Sequence, residues 1–151
     1  MDDYEINSTT LAIIPLGINI SKVYEEEEEY IINKSSNSII KENCEFYGSS
    51  YEGRCIGTKS LTGIKSKCPI IIEESRNIIF FPTSSTRNKQ SSWIALNKIK
   101  EISKKNFNSE ILFKNNNKLD LDISITSLEN QIVRATMLKS KLYERKLEEK
   151  I

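Results

Sequence analysis

Histidine is absent from this 151-residue chain, glycine occurs five times, proline and cysteine three times each, and tryptophan once. Without an imidazole, every Ser-His, Cys-His and histidine-base mechanism is excluded. Cys44, Cys55 and Cys68 form no Cys-x-x-Cys pair and have no histidine to complete a zinc site, so reduced, partly buried thiols are expected. No run of about 18 apolar residues occurs, and an opening Met-Asp-Asp is not a signal peptide. The expectation is a soluble, cytoplasmic protein with no membrane partner. A Walker loop, a Gly-x-Gly-x-x-Gly turn after a strand and a Gly-x-Ser-x-Gly elbow are all missing. Asp120 and Asp122 share a strand face and imitate a carboxylate pair, but that face is the wet side of a hairpin. No catalytic residue, cofactor or metal site is therefore expected, and the chain is read as a non-enzyme.

What the chain does have is an uneven distribution of charge. The net charge is only +1, which rules out a globally basic nucleic-acid binder and directs attention to where the charges lie. Residues 1–33 hold one Lys against eight acids, five of them in the run Glu25 to Glu29. Residues 34–118 hold fifteen Lys and Arg against seven acids, and the last 33 residues balance six against six. Two polar motifs fall inside the basic region. One is Phe46-Tyr47-Gly48-Ser49-Ser50-Tyr51-Glu52-Gly53-Arg54; the other is Pro82-Thr83-Ser84-Ser85-Thr86-Arg87, followed by Trp93. Aromatics, small hydroxyls and an arginine together suit contact with an anion such as phosphate, a composition that ordinary capped turns share.

A chain of this length buries roughly 68% of its unfolded surface and needs no staple. In order, Thr10 to Pro15 reads as a buried strand, Ile18 to Val23 as a second, and the five glutamates as a solvated turn that blocks edge pairing. Ser35 to Ser38 reads as a turn leading through Ile39-Ile40 to Lys41–Tyr47. The spacing of Tyr51, Arg54, Cys55, Thr58 and Leu61 predicts a helix from about Ser50 to Leu61, capped by Ser49 or Ser50. Gly53 and Gly57 would let it lie close against a backbone. Pro69–Ile72 and Ile78–Phe81 form a hairpin, Thr83 to Ser92 a polar loop, and Trp93–Leu96 a further strand. Ile99 to Lys105 is a lysine-rich edge. Glu110–Lys114 and Lys118–Ile123 form a second hairpin through three asparagines. Ser127 opens an amphipathic helix to about Glu149 whose first half packs on the sheet and whose second half projects toward a partner. The sum is one α+β domain over residues 1–151. Its expected form is a mainly antiparallel bent sheet or barrel of about eight strands, with a middle helix and a long C-terminal helix, as in pleckstrin-homology-like domains.

Taken in order, Tyr4-Glu5-Ile6-Asn7, Ala12 to Pro15, Cys44 to Gly57, Pro69, Phe81-Pro82-Thr83, Ser85-Thr86-Arg87, Trp93-Ile94, Glu129-Asn130-Gln131 and Arg134 resemble the ComK family of competence transcription factors of Gram-positive bacteria. The resemblance spans nearly the whole chain. It implies a cytoplasmic, nucleoid-associated activator of competence genes that recognises paired short A/T tracts of promoter DNA from the minor groove. It also implies dimers that join into tetramers on DNA, and leaves room for a contact with RNA polymerase. A narrow A/T groove concentrates negative potential and rewards an inserted arginine without a base-specific code. Three features depart from the family pattern. Long members continue into a tail that engages a proteolytic adaptor, whereas this sequence stops at Ile151. Ser91 stands where members often have cysteine, and Asn88 where proline is common. The acidic run is also unusual and would oppose DNA if it faced the groove. An interaction module that modulates a longer relative by mixed oligomers is the alternative.

On this reading Arg87 is the candidate for the minor groove, with Ser84, Ser85, Thr86 and Lys89 as phosphate donors; a loop capped by its own hydroxyls is the other option. Arg54 and Lys59 on the middle helix, with Lys65 and Lys67 after it, are phosphate candidates, and Arg54 equally suits a structural ion pair. Tyr51, Phe46 and Trp93 are read as core and not as wedges between bases. Arg134 and Asn130 are read as joining the last helix to the sheet. Leu142, Tyr143 and Leu147 form an oligomerisation contact or a frayed end.

Overall fold

A computed structural model of the chain describes residues 1–86 and 90–148. Six strands, β1 (Thr10–Gly17), β2 (Ile20–Glu25), β3 (Glu29–Ile32), β4 (Ile70–Glu73), β5 (Ile78–Pro82) and β6 (Trp93–Ala95), form one antiparallel sheet in the order β3-β2-β1-β6-β5-β4. A single 3-10 turn, Leu96–Lys98, leads to a second antiparallel sheet of β7 (Ile99–Lys105), β8 (Asn108–Phe113) and β9 (Lys118–Leu121). The antiparallel α+β character agrees with the sequence. Closure does not: the six-stranded sheet keeps β3 and β4 as edges, so the strands make two open sheets and no barrel.

The uninterrupted apolar runs follow from covering the large sheet on both faces, since alternate residues of a strand point to opposite sides. Ile70, Ile72, Phe80 and Trp93 join Ile13 and Val23 on the face covered by α1 (Ser36–Phe46) and α2 (Tyr51–Thr62). Ile71, Ile79, Phe81 and Ile94 point the other way, against the small sheet and α3 (Ile125–Glu148).

Helix α1 replaces the turn expected at Ser35 to Ser38. The Ser35 hydroxyl accepts the backbone N–H of Ser38 at 3.2 Å as an N-cap, and Ile39, Ile40, Asn43 and Cys44 face the sheet. Asn43 sits on the apolar stripe because its amide serves the N-terminal segment. It donates to Tyr4 O at 2.9 Å and accepts from Ile6 N at 2.8 Å. Phe46, expected in the core, is 61% exposed at the end of this helix. Helix α2 starts at the predicted cap, with Ser50 Oγ accepting from Gly53 N at 2.9 Å. A Cβ at Gly53 would sit 3.0 Å from Ser50 Oγ, whereas one at Gly57 would meet nothing within 4 Å, so these glycines do not bring the helix against another backbone. Helix α3 starts one turn earlier than expected, because Ser124 and not Ser127 provides the capping oxygen, at 3.2 Å from Ser127 N. Its second half stays on the body: Lys139 donates to Asn97 Oδ1 at 2.9 Å, Lys146 lies 3.7 Å from the Glu74 carboxylate, and Leu142 packs on the core. Tyr143 and Leu147 remain exposed. Among the described residues, no helix is long and apolar enough to cross a membrane.

Strand directions give the large sheet two distinct ends. The β1–β2 turn, the segment after β5, the entry to α1 and the approach to β4 lie at one end. The β2–β3 and β4–β5 turns lie at the other. Glu25 N bonds Glu28 O at 2.8 Å, so the acidic run is the turn expected, and it belongs to this second end. It also has structural partners. Tyr4 donates its hydroxyl to Glu25, Lys98 pairs with Glu26 at 2.7 Å and Lys22 with Glu29 at 3.1 Å.

Candidate nucleic-acid interface

The loop between β5 and β6 is fastened at its base. Thr83 N bonds Ser92 O at 2.9 Å, and the buried hydroxyl of Ser91 accepts from Thr83 N at 3.0 Å and Ser84 N at 3.2 Å. The start of α1 holds the returning limb: Asn37 N donates to Gln90 Oε1 at 3.0 Å, Ser36 Oγ to Ser91 O at 2.6 Å, and Trp93 Nε1 to Asn37 Oδ1 at 2.9 Å. On the outgoing limb Thr86 Oγ1 lies 3.3 Å from the Tyr51 hydroxyl, and the Tyr51 ring stands edge-on to Trp93 with centroids 6.3 Å apart. Burial pushes the Tyr51 phenol up to about 12. Tyr51 and Trp93, read from sequence as core, also support the loop. Ser84 is half-buried and Ser85 exposed. Arg87 and Lys89 lie outside the described residues.

Beside the loop base runs the connection from α2 to β4. Ile64 and Cys68 anchor it inside, while Lys65 and Lys67 face solvent, Lys67 with a positive φ of 49°. Gln131, buried on α3, clamps it to the loop: its amide nitrogen donates to Lys67 O at 3.1 Å and to Pro82 O at 2.7 Å. Arg134 completes the junction, bonding Gln131 Oε1 and Ser66 O. A groove of about 370 Å³ results, lined by Lys67, Thr83, Ser127, Asn130, Gln131, Val133 and Arg134. Its cations and amide and hydroxyl donors can hold an anion, and no carboxylate lines it. The sequence predicts Arg134 as a link from the last helix to the sheet; it instead reaches Ser66 in the connection before β4, and the fastening by Gln131 and Asn37 has no counterpart in that reading. The signal available for Gln131 was a polar residue beside Ile132 on the inward stripe of an amphipathic helix.

The other candidates lie elsewhere. Arg54 points toward the acidic end, lining a groove of about 420 Å³ with Tyr47, Glu73, Glu74, Ser75 and Lys146; its buried Nε has no hydrogen-bond partner, and it makes no ion pair among the described residues. Lys59 is exposed on the outward side of α2. A further groove, between the N-terminal segment and α1, is lined by Asp3, Glu5 and Glu42. Its one cation, Lys34, is held by Asp3 and Glu42, so that surface repels phosphate. The three cysteines are free thiols; burial pushes Cys44 up to about 12 and Cys55 up to about 11. Asp120 is held below its usual range by a hydrogen bond from Lys105, at 3.0 Å, as a solvated surface pair.

A hydroxyl-rich loop is pinned next to a cationic groove at the end of the sheet away from the glutamate turn. A family model described as ComK protein matches residues 1–147. Over 149 residues, covering 96% of this chain and 78% of the other, the sequence is 36% identical to the Competence transcription factor of Bacillus subtilis (strain 168). The chain belongs to the ComK family. No solved structure matches it.

Proposed function

We propose that the chain is a competence-type transcription activator that binds paired A/T-rich tracts of duplex DNA through the minor groove. The observation that supports this most is the fastening of the loop and the Lys65–Lys67 connection into one surface at the end of the sheet opposite Glu25 to Glu28. DNA meeting that end avoids the acidic run, which removes the main sequence-level objection. On this reading Lys65 and Lys67, with the hydroxyls of Ser84 and Ser85, meet phosphates and set the register, and Arg87 is the side chain for the groove. A narrow A/T groove supplies the selectivity. Tyr143 and Leu147, two of the exposed apolar groups of α3, serve contact between copies on this reading.

The test is fluorescence anisotropy of the purified protein on a duplex with two A/T tracts one helical turn apart, beside a G/C-substituted duplex. Selective binding with a steep salt slope supports the proposal. No binding to either duplex, with co-purification of a longer relative, turns the assignment to an interaction module.

A further inference from the structure

Each sheet carries, at the end where the hydroxyl-rich loop lies, a two-residue hairpin turn bearing a large apolar side chain. In the β1–β2 hairpin Gly17 pairs with Ile20, which leaves Ile18 and Asn19 at the tip; Ile18 is 82% exposed and the neighbouring Leu16 54%. In the β7–β8 hairpin Lys105 pairs with Asn108, leaving Asn106, with a φ of 57°, and Phe107, 93% exposed. Turns of this kind ordinarily carry Gly, Asn, Asp or Ser, and so tight a reversal gives its side chains no core of their own to reach. From Ser103 to Asn108 every residue is exposed, so the outer half of the β7–β8 hairpin stands clear of the body.

The two tips share an end. Ile13 and Pro82 both pair with Trp93, so β1 runs toward its turn on the side where β5 enters the loop. In the small sheet the β8–β9 turn is tied to the glutamate end by Asn115 Nδ2 on Glu26 O at 2.9 Å, which sends the β7–β8 turn the opposite way. There Ser109 Oγ bonds Ile123 O at 2.9 Å as the chain enters α3, about two helical turns before Gln131 reaches the loop base. The Phe107 hairpin is cationic as well as apolar: Lys100 and Lys104 are exposed and make no ion pair among the described residues, while Lys105 is held by Asp120 and Glu110.

We propose that Phe107 and Ile18 are apolar wedges that enter the DNA minor groove beside the loop, with Lys104 on the flanking phosphate. The inference rests on the DNA-binding reading above and assigns two contacts which that reading lacks. The floor and walls of an A/T minor groove present sugar rings and base edges to which an apolar side chain can pack or between which it can insert, most easily at flexible TA steps. Lysines at the tip's base face the phosphates that border the same groove. The acidic turn is remote from both tips.

Phe107→Ser and Ile18→Ser place ordinary turn residues at exposed positions and leave the fold intact, which circular dichroism checks. Burial of one such side chain predicts about a tenfold or greater loss of affinity for the paired A/T duplex in each variant. The slope of log affinity against log salt stays unchanged, because an apolar contact releases no counterions. A duplex carrying 2-aminopurine within the A/T tract is expected to brighten with the wild type as the step unstacks and to brighten less with Phe107→Ser. Wild-type binding together with unaltered affinity in both variants overturns the inference alone. A lost self-association of the variants without DNA, at unaltered DNA affinity, overturns it in favour of contacts between copies. Failure of the wild type to bind the A/T duplex overturns the DNA-binding reading itself.

Discussion

Replacing Gln131 tests how the surface assigned to DNA is held together. Its amide nitrogen is a hydrogen-bond donor to both Pro82 O and Lys67 O, and its oxygen accepts from Arg134. In Gln131→Ala the Pro82 carbonyl, in a buried strand end, loses this donor, at a cost of ~1–3 kcal/mol. Lys67 is exposed, so water can serve its carbonyl and that loss is smaller. Removing the stem leaves an additional packing deficit, giving about 2–4 kcal/mol in all. For a chain of this size that lowers Tm by roughly 5–15 °C. Gln131→Met keeps the stem and removes the donors, so it is expected to lose only the hydrogen-bond part, about 1–3 kcal/mol. Urea and thermal unfolding followed by circular dichroism measure both. The accompanying signature is local: amide exchange of the connection from Ile64 to Pro69 rises more than that of the β7–β8 hairpin. Stability of Gln131→Ala within about 0.5 kcal/mol of wild type, the range of an ordinary surface change, would refute the clamp.

Lys65→Ala, Lys67→Ala and Arg87→Ala are each expected to weaken A/T-duplex binding and to lower the salt slope by about one, with unfolding unchanged; an anisotropy salt series measures it. The native thiols are expected to resist Ellman's reagent at pH 8, because burial raises Cys44, Cys55 and Cys68 and leaves little thiolate, whereas all three react in denaturant. Glu73 is lowered to about 2, first by the Ser75 hydroxyl and then by Arg76. Its contribution to stability is therefore present above the ordinary carboxylate range and lost as pH falls toward 2; Glu73→Gln flattens that acid limb in pH-dependent unfolding.

The periodic parts of the chain were legible. Both hairpins, the capped α2 and the amphipathic α3 follow from spacing and turn chemistry, because their buried positions are apolar. Helix α1 escaped because its inward stripe contains Asn43, whose job is to bond Tyr4 and Ile6, 39 and 37 residues distant in sequence; the polar residue broke the pattern. The division of the strands into two open sheets, with no closed barrel, depends on the 3-10 turn at Leu96–Lys98, which redirects the chain without glycine or proline. At the candidate site the loop and the lysines were visible by composition. Their fastening through Asn37, Ser91 and Gln131 was not, since each is a polar group whose partner lies far along the chain. Arg54 looked like part of the same cluster only because sequence cannot show that α2 points it toward Glu73 and Glu74.

The most direct test of minor-groove recognition replaces the A·T pairs of both tracts with I·C pairs. Inosine lacks the 2-amino group, so an I·C pair keeps the minor-groove acceptors of A·T while showing the major groove the pattern of G·C. Anisotropy at fixed salt then compares the A·T, I·C and G·C duplexes. Affinity for the I·C duplex close to that for A·T, with G·C much weaker, is the predicted result; affinity for I·C as weak as for G·C would contradict it and move recognition to the major groove.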